Sequence, residues 1–124
     1  MLAFKIDRDK ELVTVICGGS LSSKDREKVL DRLVEFLKIN PNFNLFLDVS
    51  RADLSMNEDE QIEYGHLLAS KKEYFNMNRA AVLTNNNTDS QSLFLLEAYS
   101  EGLYNFLEFS DRNEALEWVS GEIK

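Results

Sequence analysis

The sequence predicts one α/β domain, spanning residues 1–124, on a mainly parallel five-stranded sheet with the order ββαβαβαβα. Its first strand is expected to run antiparallel, and four helices are expected to pack on the sheet faces. Three observations carry this. Short apolar runs of strand length alternate with segments whose apolar residues recur at helical spacing. The polar tetrad Asp7-Arg8-Asp9-Lys10 separates the first two runs as a hairpin turn would. Capping residues stand in front of the helical segments.

Leu2 to Ile6 and Leu12 to Cys17 are the two arms of that hairpin, and Gly18-Gly19 is expected to end the second. Ser22 stands three residues before Asp25, a capping-box spacing, and Val29, Leu30, Leu33, Val34, Phe36 and Leu37 form the buried stripe of the first helix. Asn40-Pro41 ends it, because the residue before proline is pushed out of the α region. Phe43 to Val49 is mostly apolar, as in a strand covered on both faces, and is placed at the centre of the sheet. Ser55-Met56-Asn57-Glu58 reads as a capping box for the second helix, whose Tyr64, Leu67, Leu68 and Phe75 share one side. Arg79 to Thr84 carries the next strand, and Asn85 to Thr88 is a loop. Thr88 or Asp89 is expected to cap a third helix reaching about Leu103. Tyr104 to Phe109 forms the last strand. Asp111 caps a final helix that turns Ala115, Trp118, Val119 and Ile123 inward.

Composition narrows the function. A chain of 124 residues buries about two-thirds of its unfolded surface, enough for one core. The 22 acidic against 14 basic residues give a formal charge of −8, and the few basic clusters are interleaved with acids, so no face suits the phosphates of a nucleic acid. No apolar run approaches membrane-spanning length and Met1 to Ile6 lacks the pattern of a signal peptide, which points to a cytoplasmic protein without membrane insertion. Cys17, the sole cysteine, follows Val15 and Ile16 in an apolar strand and reads as a small core residue.

Three segments in this order resemble the STAS superfamily, in particular its stand-alone SpoIIAA-like, anti-sigma-factor-antagonist-like branch. They are Asn42-Phe43-Asn44-Leu45-Phe46-Leu47-Asp48-Val49, then Ala52-Asp53-Leu54, and the closing Phe109-Ser110-Asp111-Arg112-Asn113-Glu114-Ala115-Leu116-Glu117-Trp118-Val119. The resemblance implies a regulatory, protein-interaction role. In the antagonists it also implies a serine, phosphorylated by a partner kinase, at the start of the second helix. Ser55 stands near that place and has two readings: the phosphosite the resemblance implies, and a helix cap that accounts for the serine without modification.

Asp48 and Thr84, each at the end of a strand, imitate the acceptor pair of receiver domains. However, Cys17-Gly18-Gly19-Ser20 supplies none of the acids that would hold Mg²⁺. His66 is the only histidine. Its pairing with Glu63 on one helix face is read as solvated surface, so neither a metal site nor a cofactor is expected. No nucleophile-base-acid set is evident, and the expectation is a protein that is not an enzyme. Two surfaces remain. The carboxyl ends of the strands should gather Asp48, Ser50, Asp53, Asn85, Asn86, Asn87 and Asp89 into a rim. The broad apolar arc of the third helix should expose some of Phe94, Leu95 and Tyr99, a face for an unidentified protein partner or a weak homodimer. The main expectation is a non-catalytic module that docks to a protein. The alternative is a carrier or sensor of a small hydrophobic, lipid-like ligand held between the sheet and a mobile helix.

Overall fold

The computed structural model describes residues 2–54, 56–75, 78–85 and 92–120. Strands β1 (Leu2–Asp7), β2 (Leu12–Ser20), β3 (Asn44–Asp53), β4 (Ala80–Leu83) and β5 (Phe106–Phe109) form one sheet in sequential order. β1 pairs antiparallel with β2, and the other pairings are parallel. β3 is the central strand, as its apolar run predicts. β2 does not stop at Gly18-Gly19. Its register against β3 shifts between Ile16 and Gly18, and Gly19 takes a φ of 75°, so the glycines accommodate a bulge and the strand continues to Ser20.

Helices α1 (Ser23–Ile39), α2 (Glu58–Ser70), α3 (Lys72–Phe75), α4 (Leu93–Ser100) and α5 (Arg112–Ser120) number five among the described residues, one more than the sequence predicts. The extra one arises because the expected second helix is broken. Lys71 leaves helical geometry at φ −105° and ψ 12°, its N–H turns back to Leu68, and α3 adds a single separate turn that buries Phe75. α1 keeps its predicted box: the Asp25 N–H donates to Ser22 Oγ at 3.2 Å and the Ser22 N–H to Asp25 Oδ2 at 3.1 Å. That backbone hydrogen bond from Ser22 holds the Asp25 carboxyl below its usual range.

Period-two alternation divides the core between the sheet faces. Val13, Val15, Leu45 and Val82 face one cluster with Leu30, Leu33, Leu68, Phe94 and Leu95, from α1, α2 and α4. Phe46, Ala81 and Leu83 face a smaller cluster with Ala115 and Val119 of α5. The crossovers joining the parallel strands therefore lie on one face, and among the described residues only α5 covers the other.

α4 departs furthest from expectation. It runs from Leu93 to Ser100, short of Leu103, and buries two of the residues expected at its surface: Phe94 is 6% and Leu95 2% exposed. The cause is a close helix-helix approach at Gly65 of α2. A Cβ added there would come within 2.6 Å of the Phe94 carbonyl oxygen, so only glycine lets α4 settle onto α2 with Phe94 turned inward. The Phe94 ring then packs against Tyr64 at 5.7 Å. The apolar arc leaves Leu96 and Tyr99 outside instead.

Candidate functional site

On the helix-rich face, α1, α2 and α4 do not close completely onto the sheet. A cavity of about 50 Å³ remains beneath them. Val15, Cys17, Leu47 and Val82 form its floor, and Val29, Leu68 and Phe94 its roof. Val49, Leu54 and Phe94 also line a wider cleft of about 610 Å³ at the carboxyl ends of the strands, together with Asp53, Gln61, Thr84, Asn85 and Ser92. The shared residues mark where the apolar cavity borders the more polar cleft, at the place where open parallel sheets gather ligands.

Among the described residues, Arg26 is the one charged residue that lines the cavity. It is 6% exposed, and its Nη1 donates to the carbonyls of Leu21 at 3.0 Å and Leu54 at 2.5 Å. The guanidinium thereby ties the chain entering α1 to the chain leaving β3. It also stands over the Tyr64 ring at 5.7 Å. Burial pushes the Tyr64 phenol up to about 12, against the pull of the Arg26 charge. Burial, and then the charge of Asp48, likewise push the Cys17 thiol up, which suppresses the thiolate a reactive cysteine needs.

The predicted rim is divided rather than gathered. Asp48 is buried toward the α5 face, where Oδ1 accepts from the Ser50 N–H at 3.0 Å and Ser50 Oγ at 2.6 Å, and Oδ2 pairs with Arg112 at 3.0 Å. This ion pair gives Asp48 a structural role and separates Asp48 and Ser50 from the cleft. The cause is alternation along β3: Asp48 follows Phe46 onto the α5 face while Val49 points to the cavity. Asp53 and Asn85 do line the cleft. Asn86, Asn87, Thr88 and Asp89 lie outside the described residues.

Ser55 also lies outside the described residues. The cap of α2 belongs to Asn57, not to Ser55: the Glu60 N–H donates to Asn57 Oδ1 at 2.9 Å and Glu60 returns the bond to the Asn57 N–H. At the start of α4, Ser92 stands at the N-cap, but its side chain makes no cap bond. Glu108 of β5 supplies the acceptor instead, taking the Ser92 N–H on Oε1 and the Ser92 and Thr84 hydroxyls on Oε2, each at 2.6 Å. Thr84 is thus engaged with Glu108 and not with Asp48, which removes the receiver-like pairing.

No protein-family model and no curated protein sequence matches the chain. A solved structure does: the crystal structure of an uncharacterized protein from the DUF3478 family, with a SpoIIAA-like fold, from Shewanella loihica PV-4. It is 16% identical, with a TM-score of 0.52, and the match covers 96% of this chain and 92% of that one.

The fold is SpoIIAA-like.

The likeness at this identity concerns the fold alone, and it agrees with the STAS-type arrangement that the three sequence segments suggest. Within this SpoIIAA-like frame, the cavity, the Glu108 cap and the buried Arg26 escape local reading. Arg26 follows the helix-capping residues Ser22 and Asp25 and looks like an ordinary exposed cation among Lys24, Glu27 and Lys28. Its only sequence signal is position: it lies four residues before Leu30 on the buried side of α1. Among the described residues no helix is long and apolar enough to cross a membrane.

Proposed function

We propose that this SpoIIAA-like domain is a non-catalytic binding module that holds a small amphiphilic molecule, its apolar end in the cavity and its polar end in the cleft. The observation that carries this reading is that the two spaces adjoin, sharing Val49, Leu54 and Phe94 as lining. Volume defines the ligand. An apolar cavity of about 150 Å³ takes a benzene ring. At about 50 Å³, this one admits only a short alkyl or branched tip, and the rest of the molecule extends into the cleft. There Gln61 and Asn85 offer neutral hydrogen-bonding groups, and Asp53 disfavours an anionic head.

Three groups that catalysis could draw on support a non-enzymatic role. The Cys17 thiol is held protonated by burial, Asp48 is committed to Arg112 and Ser50, and His66 stands exposed on α2. Native mass spectrometry of protein freshly purified from cells tests the proposal. A small added mass, lost on denaturation and absent from Val49→Trp, is the expected result. A clean mass for the wild type, or the same added mass in the variant, overturns it.

A second reading, docking to a protein or to another copy, rests on the outer face of α4. Leu96 and Tyr99 are 47% and 53% exposed, and the Tyr99 ring packs edge-on against exposed Tyr104 at 5.0 Å. This apolar patch takes the place of the expected Phe94-Leu95 surface. A dimer in the same native spectra, lost in Tyr99→Glu, would favour it.

A further inference from the structure

The outer seam between α2 and α4 carries a feature separate from the cavity. His66 of α2 lies between Glu97 and Glu101 of α4: Nε2 is 3.4 Å from Glu97 Oε1, and Nδ1 contacts Glu101 Oε2. One imidazole nitrogen and one oxygen from each glutamate lie within 4.8 Å of one another. Glu63, the partner suggested by spacing along α2, is not in this group. The expectation of no metal site rests on the lack of a second histidine, and the carboxylates of the neighbouring helix supply the donors that reasoning omits.

We propose that His66, Glu97 and Glu101 form a binding site for a divalent first-row transition-metal ion of the Zn²⁺ class, which staples α2 to α4. Three arguments support it. The first is electrostatic. Glu97 and Glu101 are four residues apart on one helix face and repel each other. Both ring nitrogens of His66 face carboxylates, yet a neutral imidazole has a single N–H. In the neutral ring one nitrogen lone pair is therefore set against an oxygen lone pair. A second ring proton relieves that contact by making two separate ion pairs, whereas a metal ion on Nε2 draws oxygens of both glutamates to one cation.

The second argument is distance. Zinc bonds to imidazole nitrogen and carboxylate oxygen are about 2.1 Å, which places neighbouring tetrahedral donors about 3.4 Å apart. The separation of Nε2 from Glu97 Oε1 is 3.4 Å. Glu101 reaches the same ion by swinging its partly exposed carboxylate around the ring edge, and water completes the coordination. The third is rigidity. The donors sit on two helices fixed at Gly65, where an added Cβ would come within 2.7 Å of Glu97 Cβ. Sites on packed helices hold their donors better than sites on loops. Mixed nitrogen and oxygen donors select borderline ions rather than Mg²⁺ or Ca²⁺. Lys72, whose ammonium donates to the Glu101 carbonyl at 3.0 Å, adds a nearby positive charge that moderates the affinity.

The experiment uses chain stripped with a chelator and titrated with Zn²⁺ against a chromophoric competitor, and with Co²⁺ followed by visible absorption. Wild type is expected to take up one equivalent, with the intense visible band of four-coordinate Co²⁺. Because changes even to outer-shell partners of a metal site cost roughly 10–100-fold in affinity, His66→Ala, Glu97→Gln and Glu101→Gln should each weaken binding at least tenfold. His66 is about half exposed, so metal-free His66→Ala should melt like wild type, and the isosteric Glu101→Gln serves as a second variant. Failure of wild type to take up one equivalent overturns the proposal. So does uptake unchanged in both His66→Ala and Glu101→Gln.

Discussion

The two faces of the sheet are packed by different rules. Under α5, Phe46, Ala81, Ala115 and Val119 leave almost no exposed surface, and the Asp48–Arg112 pair locks the helix start to the central strand. Under α1, α2 and α4, larger side chains bury more area, yet a cavity persists and a charged guanidinium lines it. Dense packing, not amount of apolar surface, is what fixes a core. The α5 face has the features of a structural anchor, and the helix-rich face has space that a partner molecule can use. Two residues adjacent in sequence, Asp48 and Val49, belong to these different faces because β3 alternates.

The comparison breaks first if the faces respond alike to added volume. Ala115→Val adds two methyl groups at a fully buried position and should cost about 1–3 kcal/mol by overpacking. Val29→Ile, which points its extra methylene toward the cavity, should leave stability unchanged or raise it by up to about 1 kcal/mol. Urea unfolding of both variants is the measurement. Equal losses would mean that the helix-rich face is as full as the other.

Alkaline pH sharpens the same contrast. Tyr64 has a folded value of about 12 against an ordinary 10.0, so the folded state retains its proton where the unfolded state has lost it. The resulting stabilisation is fully present below pH 10 and is lost as pH rises through about 12. The raised Cys17 thiol acts in the same direction from its ordinary value of 9.0 upward. Wild type should therefore lose stability across this window, and Tyr64→Phe should lack the phenol's share of that loss. Parallel pH profiles for the two proteins would remove Tyr64 from the account.

What could be read from the sequence follows the range of each interaction. The α1 box, the stop at Asn40-Pro41 and the Asp111 cap of α5, which accepts the Glu114 N–H at 3.1 Å, each depend on residues within a turn of one another. Two capping boxes overlap at the start of α2: the sequence reading takes Ser55 with Glu58, and the backbone uses Asn57 with Glu60. Glu108 caps Ser92 across 16 residues and Arg112 reaches Asp48 across 64, so neither leaves a local pattern. The apolar arc of α4 was legible, but its orientation was not, since that depends on how closely Gly65 lets two helices approach. The cavity is a remainder of packing, which no spacing of residues displays.

The central claim is that the helix-rich face accepts a ligand where the cavity and the cleft meet at Val49, Leu54 and Phe94. Its most direct test is an NMR chemical-shift titration of purified protein with a small neutral amphiphile whose branched alkyl end suits the cavity, such as 2-methyl-1-propanol, comparing wild type, Val49→Trp at the shared lining and Ala115→Val on the opposite face. The account expects saturable one-to-one binding by wild type and Ala115→Val, and affinity lower by at least about tenfold in Val49→Trp, equivalent to about 1.4 kcal/mol. Wild type that binds no probe, or a Val49→Trp variant that binds it as well as wild type, would contradict the account.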